Sequence, residues 1–104
     1  MIKCGIDLVL NKRMEKNLFN SNFISKVFHA SELKLEKRKL TGIFCLKEAV
    51  MKIMGGKLDW KEIEVVFEKS GKPKIKVSGG KFKSIDASIS HDGEYTIGMV
   101  VCEL

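Results

Sequence analysis

The 104-residue sequence has one proline, three cysteines and no apolar run approaching the ~20 residues that a membrane span needs. With so little proline, 44% hydrophobic residues and 31% charged, it is neither a disordered nor a fibrous chain and can bury a core. Cys4, Cys45 and Cys102 are odd in number, no two lie at a zinc-ligand spacing, and each stands among apolar neighbours. They read as buried reduced thiols of a cytoplasmic protein rather than as a disulfide or metal frame. The stretch Met1 to Leu10 is apolar but broken by Lys3 and Asp7, and it lacks a small-residue cleavage site, which argues against a signal peptide. There is no internal repeat and no low-complexity tract. The length is that of one domain, 1–104, and at this size partner subunits add usefully to stability.

Nineteen Lys and Arg against thirteen Asp and Glu leave +6, and +5 of it falls within the first forty residues. A positive first part implies an anionic partner: a phosphate-bearing ligand, an acidic protein or a nucleic acid. Charge alone does not choose among them. The phenylalanines fall mostly at core-like positions, so no stacking platform for single-stranded nucleic acid is in view.

Ile2, Cys4, Ile6 and Leu8 alternate with Lys3, Gly5, Asp7 and Val9, the period of a strand. Asn11 caps a first helix through Phe19, and Ser21 or Asn22 a second short one leading to His29. Ser31 to Lys39 is lysine-rich, helical by propensity and placed on the surface. Thr41 caps a longer helix through Met54 that Gly55 and Gly56 stop. Ile43, Leu46, Val50, Ile53 and Met54 form its core face; on the other side Glu48 is flanked by Phe44, Cys45, Met51 and Gly55, with Lys52 one turn on. A helix apolar nearly all round is buried, which puts Glu48 and Lys52 in or beside a cleft. Ile63 to Phe67 and Ile75 to Val77 flank a turn at Ser70-Gly71-Lys72-Pro73, and Ser78-Gly79-Gly80 is a flexible link. Ile85, Ala87 and Ile89 are followed by a turn at Asp92-Gly93 and then by Tyr95, Ile97, Met99 and Val101, a second hairpin. The fold class is α+β, a mostly antiparallel sheet packed on a long buried helix.

Asp7 is a carboxylate in an apolar strand, and burying an unpaired charge costs several kcal/mol. A salt bridge or a place at the strand end would satisfy it. Glu48 poses the same problem, and an i,i+4 pair with Lys52 would answer it. A shared cation would satisfy both carboxylates, and magnesium, which prefers oxygen ligands and keeps its waters, suits such a site. Ser88-Ile89-Ser90-His91-Asp92 ends a strand at a turn, where polar side chains are displayed. Gly71-Lys72-Pro73 is first of all a tight turn.

In order, Gly5-Ile6-Asp7-Leu8-Val9, Phe44-Cys45-Leu46-Lys47-Glu48-Ala49-Val50-Met51-Lys52, Gly71-Lys72-Pro73 and Ser88-Ile89-Ser90-His91-Asp92 resemble one family, the holo-acyl-carrier-protein synthases. These are 4'-phosphopantetheinyl transferases. The resemblance implies that fold, and transfer of the phosphopantetheine arm of coenzyme A to a serine of apo acyl carrier protein, releasing adenosine 3',5'-bisphosphate. It makes Asp7 and Glu48 the ligands of Mg2+, Lys52 a further positive charge, and Glu48 a candidate acceptor of the serine proton. It puts His91 and Ser90 near the coenzyme A phosphates, Pro73 and Gly55 in the wall of the cofactor cleft, and Arg13 against the acidic carrier. It further implies a homotrimer with active sites built across two subunits. Two departures stand out: Ile43 where the family commonly has Arg, and Leu10 where an acidic residue is usual. Loss of the Arg leaves an alternative, a non-catalytic homologue that binds coenzyme A or a carrier protein without transferring. A nucleic-acid or membrane partner is not expected.

Overall fold

The computed structural model describes residues 1–79 and 82–104. Its elements run β1 (Ile2–Leu10), α1 (Asn11–Asn17), α2 (Ser21–Val27), α3 (Ala30–Leu33) and α4 (Lys37–Ile53), then a 3-10 turn (Trp60–Glu62). β2 (Ile63–Phe67), β3 (Pro73–Val77), β4 (Ser84–Asp92) and β5 (Tyr95–Glu103) complete the chain. The strands make two antiparallel sheets, one of three strands in the order β1-β5-β4 and one formed by β2 and β3. The α+β class with its antiparallel pairing and buried helix is as expected; the division into two sheets is new.

α4 is the centre of the packing. Ile43, Leu46, Ala49 and Val50 have no exposed surface and lie in one core with Met14, Phe28, Ile63, Val65 and Val100. Two glycines let the helix lie down on the larger sheet. A Cβ on Gly5 of β1 would run into the Ala49 carbonyl, and one on Gly98 of β5 would come within 2.7 Å of Cys45 Cβ. Gly98 pairs with Asp7, so this close approach fixes how near α4 comes to the Asp7 position.

The inward face of the sheet is not the more apolar one. Gly5, Thr96, Gly98, Val100 and Cys102 are buried against α4, whereas Ile2, Cys4, Ile6 and Leu8 point outward beside Tyr95 and Met99. Cys4 is thus exposed, and only Cys45 and Cys102 are buried thiols. Phe19 is also exposed, with Lys37 Nζ 4.7 Å from its ring centre.

Helix starts differ from the sequence reading. α4 begins at Lys37, with Thr41 inside it donating to Lys37 O at 3.2 Å. α1 begins at Asn11 without a side-chain cap and ends at Asn17; α2 is capped by Asn20, whose Oδ1 accepts from Asn22 N and Phe23 N. The lysine-rich stretch is not all surface. Glu32 is fully buried and takes Lys47 Nζ at 2.7 Å, His29 N at 2.8 Å and Val65 N at 2.8 Å, while Lys47 Nζ also donates to Val27 O at 2.6 Å. Gly71, at φ 91°, makes the β2–β3 turn; of the expected Ser78-Gly80 link, Gly80 lies outside the described residues.

Candidate functional site

β1 and α4 bring Asp7 and Glu48 together. Both line a cavity of about 240 Å³ whose walls include Val9, Arg13, Met14 and Phe44. Burial raises the Asp7 carboxyl above the ordinary aspartate range, against the lowering pull of Lys52. Glu48 is raised too, by burial first and then by the negative charge of Asp7. Burial thus works against ionising either carboxylate, and at Glu48 the charge of Asp7 adds to it.

Of the two answers open for Glu48, the i,i+4 pair with Lys52 is not the one formed; Lys52 reaches across to β1. Its Nζ donates to Ile6 O at 2.8 Å and stands 3.7 Å from Asp7 Oδ1, with the lysine side chain 56% exposed and that of Asp7 15%. Asp7 Oδ2 is buried without a hydrogen-bond partner. An unpartnered acceptor oxygen next to a second carboxylate is what a bound cation relieves. Among the described residues no group of three His, Cys, Asp or Glu gathers that could hold a metal, so Asp7 and Glu48 are the acidic groups that a cation in this cavity would meet. That donor set, two carboxylates and open positions, fits Mg2+. Cys45 lies in the same region, but burial followed by the charges of Asp7 and Glu48 pushes its thiol up to about 12. It donates to Thr96 O at 3.6 Å and is no nucleophile.

A second cleft of about 240 Å³ lies at the N-terminal end of α4, lined by His91, Pro73, Gly71, Ile89, Arg38 and Lys39, among others. Pro73 and His91, 18 positions apart, thus meet on one wall. His91 and Arg38 also line an adjoining cavity of about 350 Å³. Burial, and after it Arg38, hold the His91 ring below the usual histidine range. Arg38 and Lys39 were hidden in the sequence, in the run assigned to the surface. The other expected site residues fall elsewhere. Ser90 is exposed on the opposite face of β4 from His91, paired with Ile97, and Gly55 is an exposed stop of α4 at φ 65°. Arg13, on α1, borders both the carboxylate cavity and an open groove with Lys12, Lys16 and the exposed Phe19. Ile43 is wholly buried, so the residue at the position of the family arginine is a core side chain here. Leu10 lines the groove beside Arg13.

A helix lying on a three-stranded antiparallel sheet, with two carboxylates across the contact and a cationic cleft at its start, defines the class. The family model of the 4'-phosphopantetheinyl transferase superfamily matches residues 3–100, and the chain belongs to that superfamily, in its holo-[acyl-carrier-protein] synthase family. The holo-[acyl-carrier-protein] synthase of Finegoldia magna is 37% identical, over 99% of this chain and 97% of that protein. That of Campylobacter fetus is also 37% identical, over 95% and 97%. The crystal structure of the Helicobacter pylori enzyme in complex with coenzyme A superposes with a TM-score of 0.87 at 30% identity, covering 97% of this chain and all of that one. The chain is an enzyme of that family, and no helix among the described residues is long and apolar enough to cross a membrane.

Proposed function

We propose that this chain, acting as one domain, transfers the 4'-phosphopantetheine group of coenzyme A to a serine of an apo acyl carrier protein and releases adenosine 3',5'-bisphosphate, in an Mg2+-dependent reaction. The observation that carries the reading is the pair Asp7 and Glu48 across one cavity, with Asp7 Oδ2 buried and unpartnered. A coenzyme A complex of a relative 30% identical supports the co-substrate.

Asp7 and Glu48 would hold the metal, and Mg2+ bound there would supply polarisation of the attacked phosphorus and neutralisation of the departing charge. Lys52, fixed by the Ile6 carbonyl, adds a positive charge beside Asp7 that steadies the pyrophosphate. Glu48 is also the acceptor for the serine proton. His91, Pro73, Arg38 and Lys39 form the wall for the cofactor phosphates; Ser90, on the opposite face of β4, and Gly55, at the far end of α4, stand outside this cleft. Arg13, in its basic groove, docks the acidic carrier.

The working form is a homotrimer in which a neighbouring subunit completes the cofactor wall. Ile2 is 75% exposed, Leu8 61% and Ile6 52%, and with Tyr95 and Met99 they make one outward sheet face that is apolar across two strands. Such a face calls for cover. The three free cysteines agree with a reducing, cytoplasmic setting.

The experiment is intact-protein mass spectrometry of apo acyl carrier proteins incubated with coenzyme A, Mg2+ and the enzyme, beside a chelator control. One added phosphopantetheine arm, lost with chelator, is the expected result. No addition to several carriers, by folded protein that still binds coenzyme A, would replace this reading by that of a non-catalytic binding homologue.

A further inference from the structure

Asn11, Thr96 and His91 form a hydrogen-bonded row whose direction is set by the backbone, and its two ends, Asn11 and His91, line one cavity. Asn11 N donates to Glu94 O at 2.8 Å and Asn11 Nδ2 to Gly93 O at 3.5 Å, tying the start of α1 to the β4–β5 turn. A carbonyl only accepts, so turning the amide round would set two oxygens against each other. Asn11 Oδ1 therefore faces Thr96, whose hydroxyl donates to it at 2.7 Å. Thr96 is 1% exposed and has one hydroxyl proton, which is now committed. Its oxygen can only accept from its other neighbour, His91 Nδ1, at 2.9 Å. Nδ1 must carry a hydrogen, and in the neutral ring Nε2 is then the bare nitrogen.

We propose that Thr96 and Asn11 are positioning residues for the ligand at His91: they hold the ring as the Nδ1–H tautomer in one orientation and make Nε2 the atom that meets a phosphate of that ligand. The assignment presupposes the coenzyme A reading of the cleft. Arg38, which lines both cavities that His91 lines, supplies the charge that draws a phosphate there. A phosphate oxygen at Nε2 shares with it the one proton that the monoanionic form of the phosphate brings, while Nδ1 keeps its own. A histidine outside such a row chooses freely between tautomers and must be ordered when the ligand arrives. Here that ordering is complete beforehand. Thr96 sits opposite His91 in the β4–β5 register and opposite Val9 in the β1–β5 register, so the row runs along the buried side of the sheet, where ring motion is restricted.

The test is a long-range 1H–15N correlation spectrum of the full 15N-labelled chain at about pH 8, where a neutral imidazole distinguishes its protonated nitrogen from its bare one. His29 is the only other histidine, so one His29→Asn variant assigns the signals. The expected wild-type pattern for His91 is Nδ1 protonated and Nε2 bare, and Thr96→Ser keeps it. Asn11→Ala frees the Thr96 hydroxyl to donate to the ring without touching its direct partner, and the Nε2–H tautomer should then appear. In transfer assays Thr96→Val should raise KM for coenzyme A about fivefold with little change in kcat, and Thr96→Ser should restore it. An Nε2–H ring in the wild type, or an Nδ1–H ring that persists in Asn11→Ala, overturns the row. An unchanged KM in folded Thr96→Val overturns the positioning role. If the tautomers behave as expected but coenzyme A does not bind, the cofactor reading falls and the row stands.

Discussion

Lys47 stands next to Glu48 in the helix motif, but its side chain has no exposed surface, and its ammonium donates to Val27 O at 2.6 Å and to Glu32 Oε1 at 2.7 Å. Burial pulls its pKa down, and Glu32 works against that shift. Lys47→Met keeps most of the stem's volume and removes both bonds, leaving Glu32 a buried carboxylate with only backbone N–H partners. Breaking one side of a buried pair costs about 3–5 kcal/mol, against a total stability of about 5–15 kcal/mol for a domain. At roughly 4–8 °C per kcal/mol, the melting temperature should fall by about 12 °C or more. Adding Glu32→Gln removes the stranded charge and should recover part of the loss. Urea unfolding followed by circular dichroism, with all variants at one protein concentration because self-association adds stability, gives the double-mutant cycle. The transfer rate per folded molecule should stay near that of the wild type. If Lys47→Met unfolds within about 1 kcal/mol of the wild type yet loses transfer, the lysine is a site residue and the structural assignment is wrong.

Three further outcomes follow from the packing and the surface. Gly5→Ala should push α4 off β1, because its Cβ meets the Ala49 carbonyl, and so separate Glu48 from Asp7; transfer should drop at least about tenfold as reacting groups lose alignment, and a fully active, equally stable variant would refute the close-approach argument. Ile6→Glu with Leu8→Lys places charges on the outward apolar face; sedimentation should show monomer in place of trimer, and an unchanged trimer would place the subunit contact elsewhere. Arg13→Glu should weaken carrier docking while leaving coenzyme A affinity unchanged, measured by calorimetry with each partner separately; equal loss of both would refute the docking role.

The strands were legible because period-two alternation survives in β1 to β5, and both turns carry the glycine each needs at positive φ, Gly71 and Gly93. Which face of β1 and β5 points inward was not legible from hydrophobicity. The outward set Ile2, Cys4, Ile6 and Leu8 is the more apolar one, as suits a subunit contact, and the inward set carries Gly5 and Gly98 where α4 comes closest. Thr41 resembled a cap because a polar residue before an apolar run is the usual signal; the charged turn Lys37 to Leu40 instead extends the helix. Glu32 was lost in a charged run, since its partner Lys47 is 15 residues away and only folding joins them. Asp7, Glu48 and Lys52 were legible as a cluster, but Lys52 proved to serve β1 and Asp7 instead of pairing with Glu48. Asn11 and Thr96 could not have been joined to His91, because Asn11 reads as a cap and Thr96 as one residue of a hairpin.

The most direct test of the account is the dependence of carrier modification on Mg2+ concentration in the wild type and in Glu48→Gln, read by intact-protein mass spectrometry, with circular dichroism to confirm the fold. Glu48→Gln should keep its fold and lose most of the Mg2+-dependent transfer, a fall of at least about a hundredfold if Glu48 both holds the metal and takes the serine proton. A folded Glu48→Gln enzyme with the wild-type rate and the wild-type Mg2+ dependence would contradict the assignment of this carboxylate pair as the reaction centre.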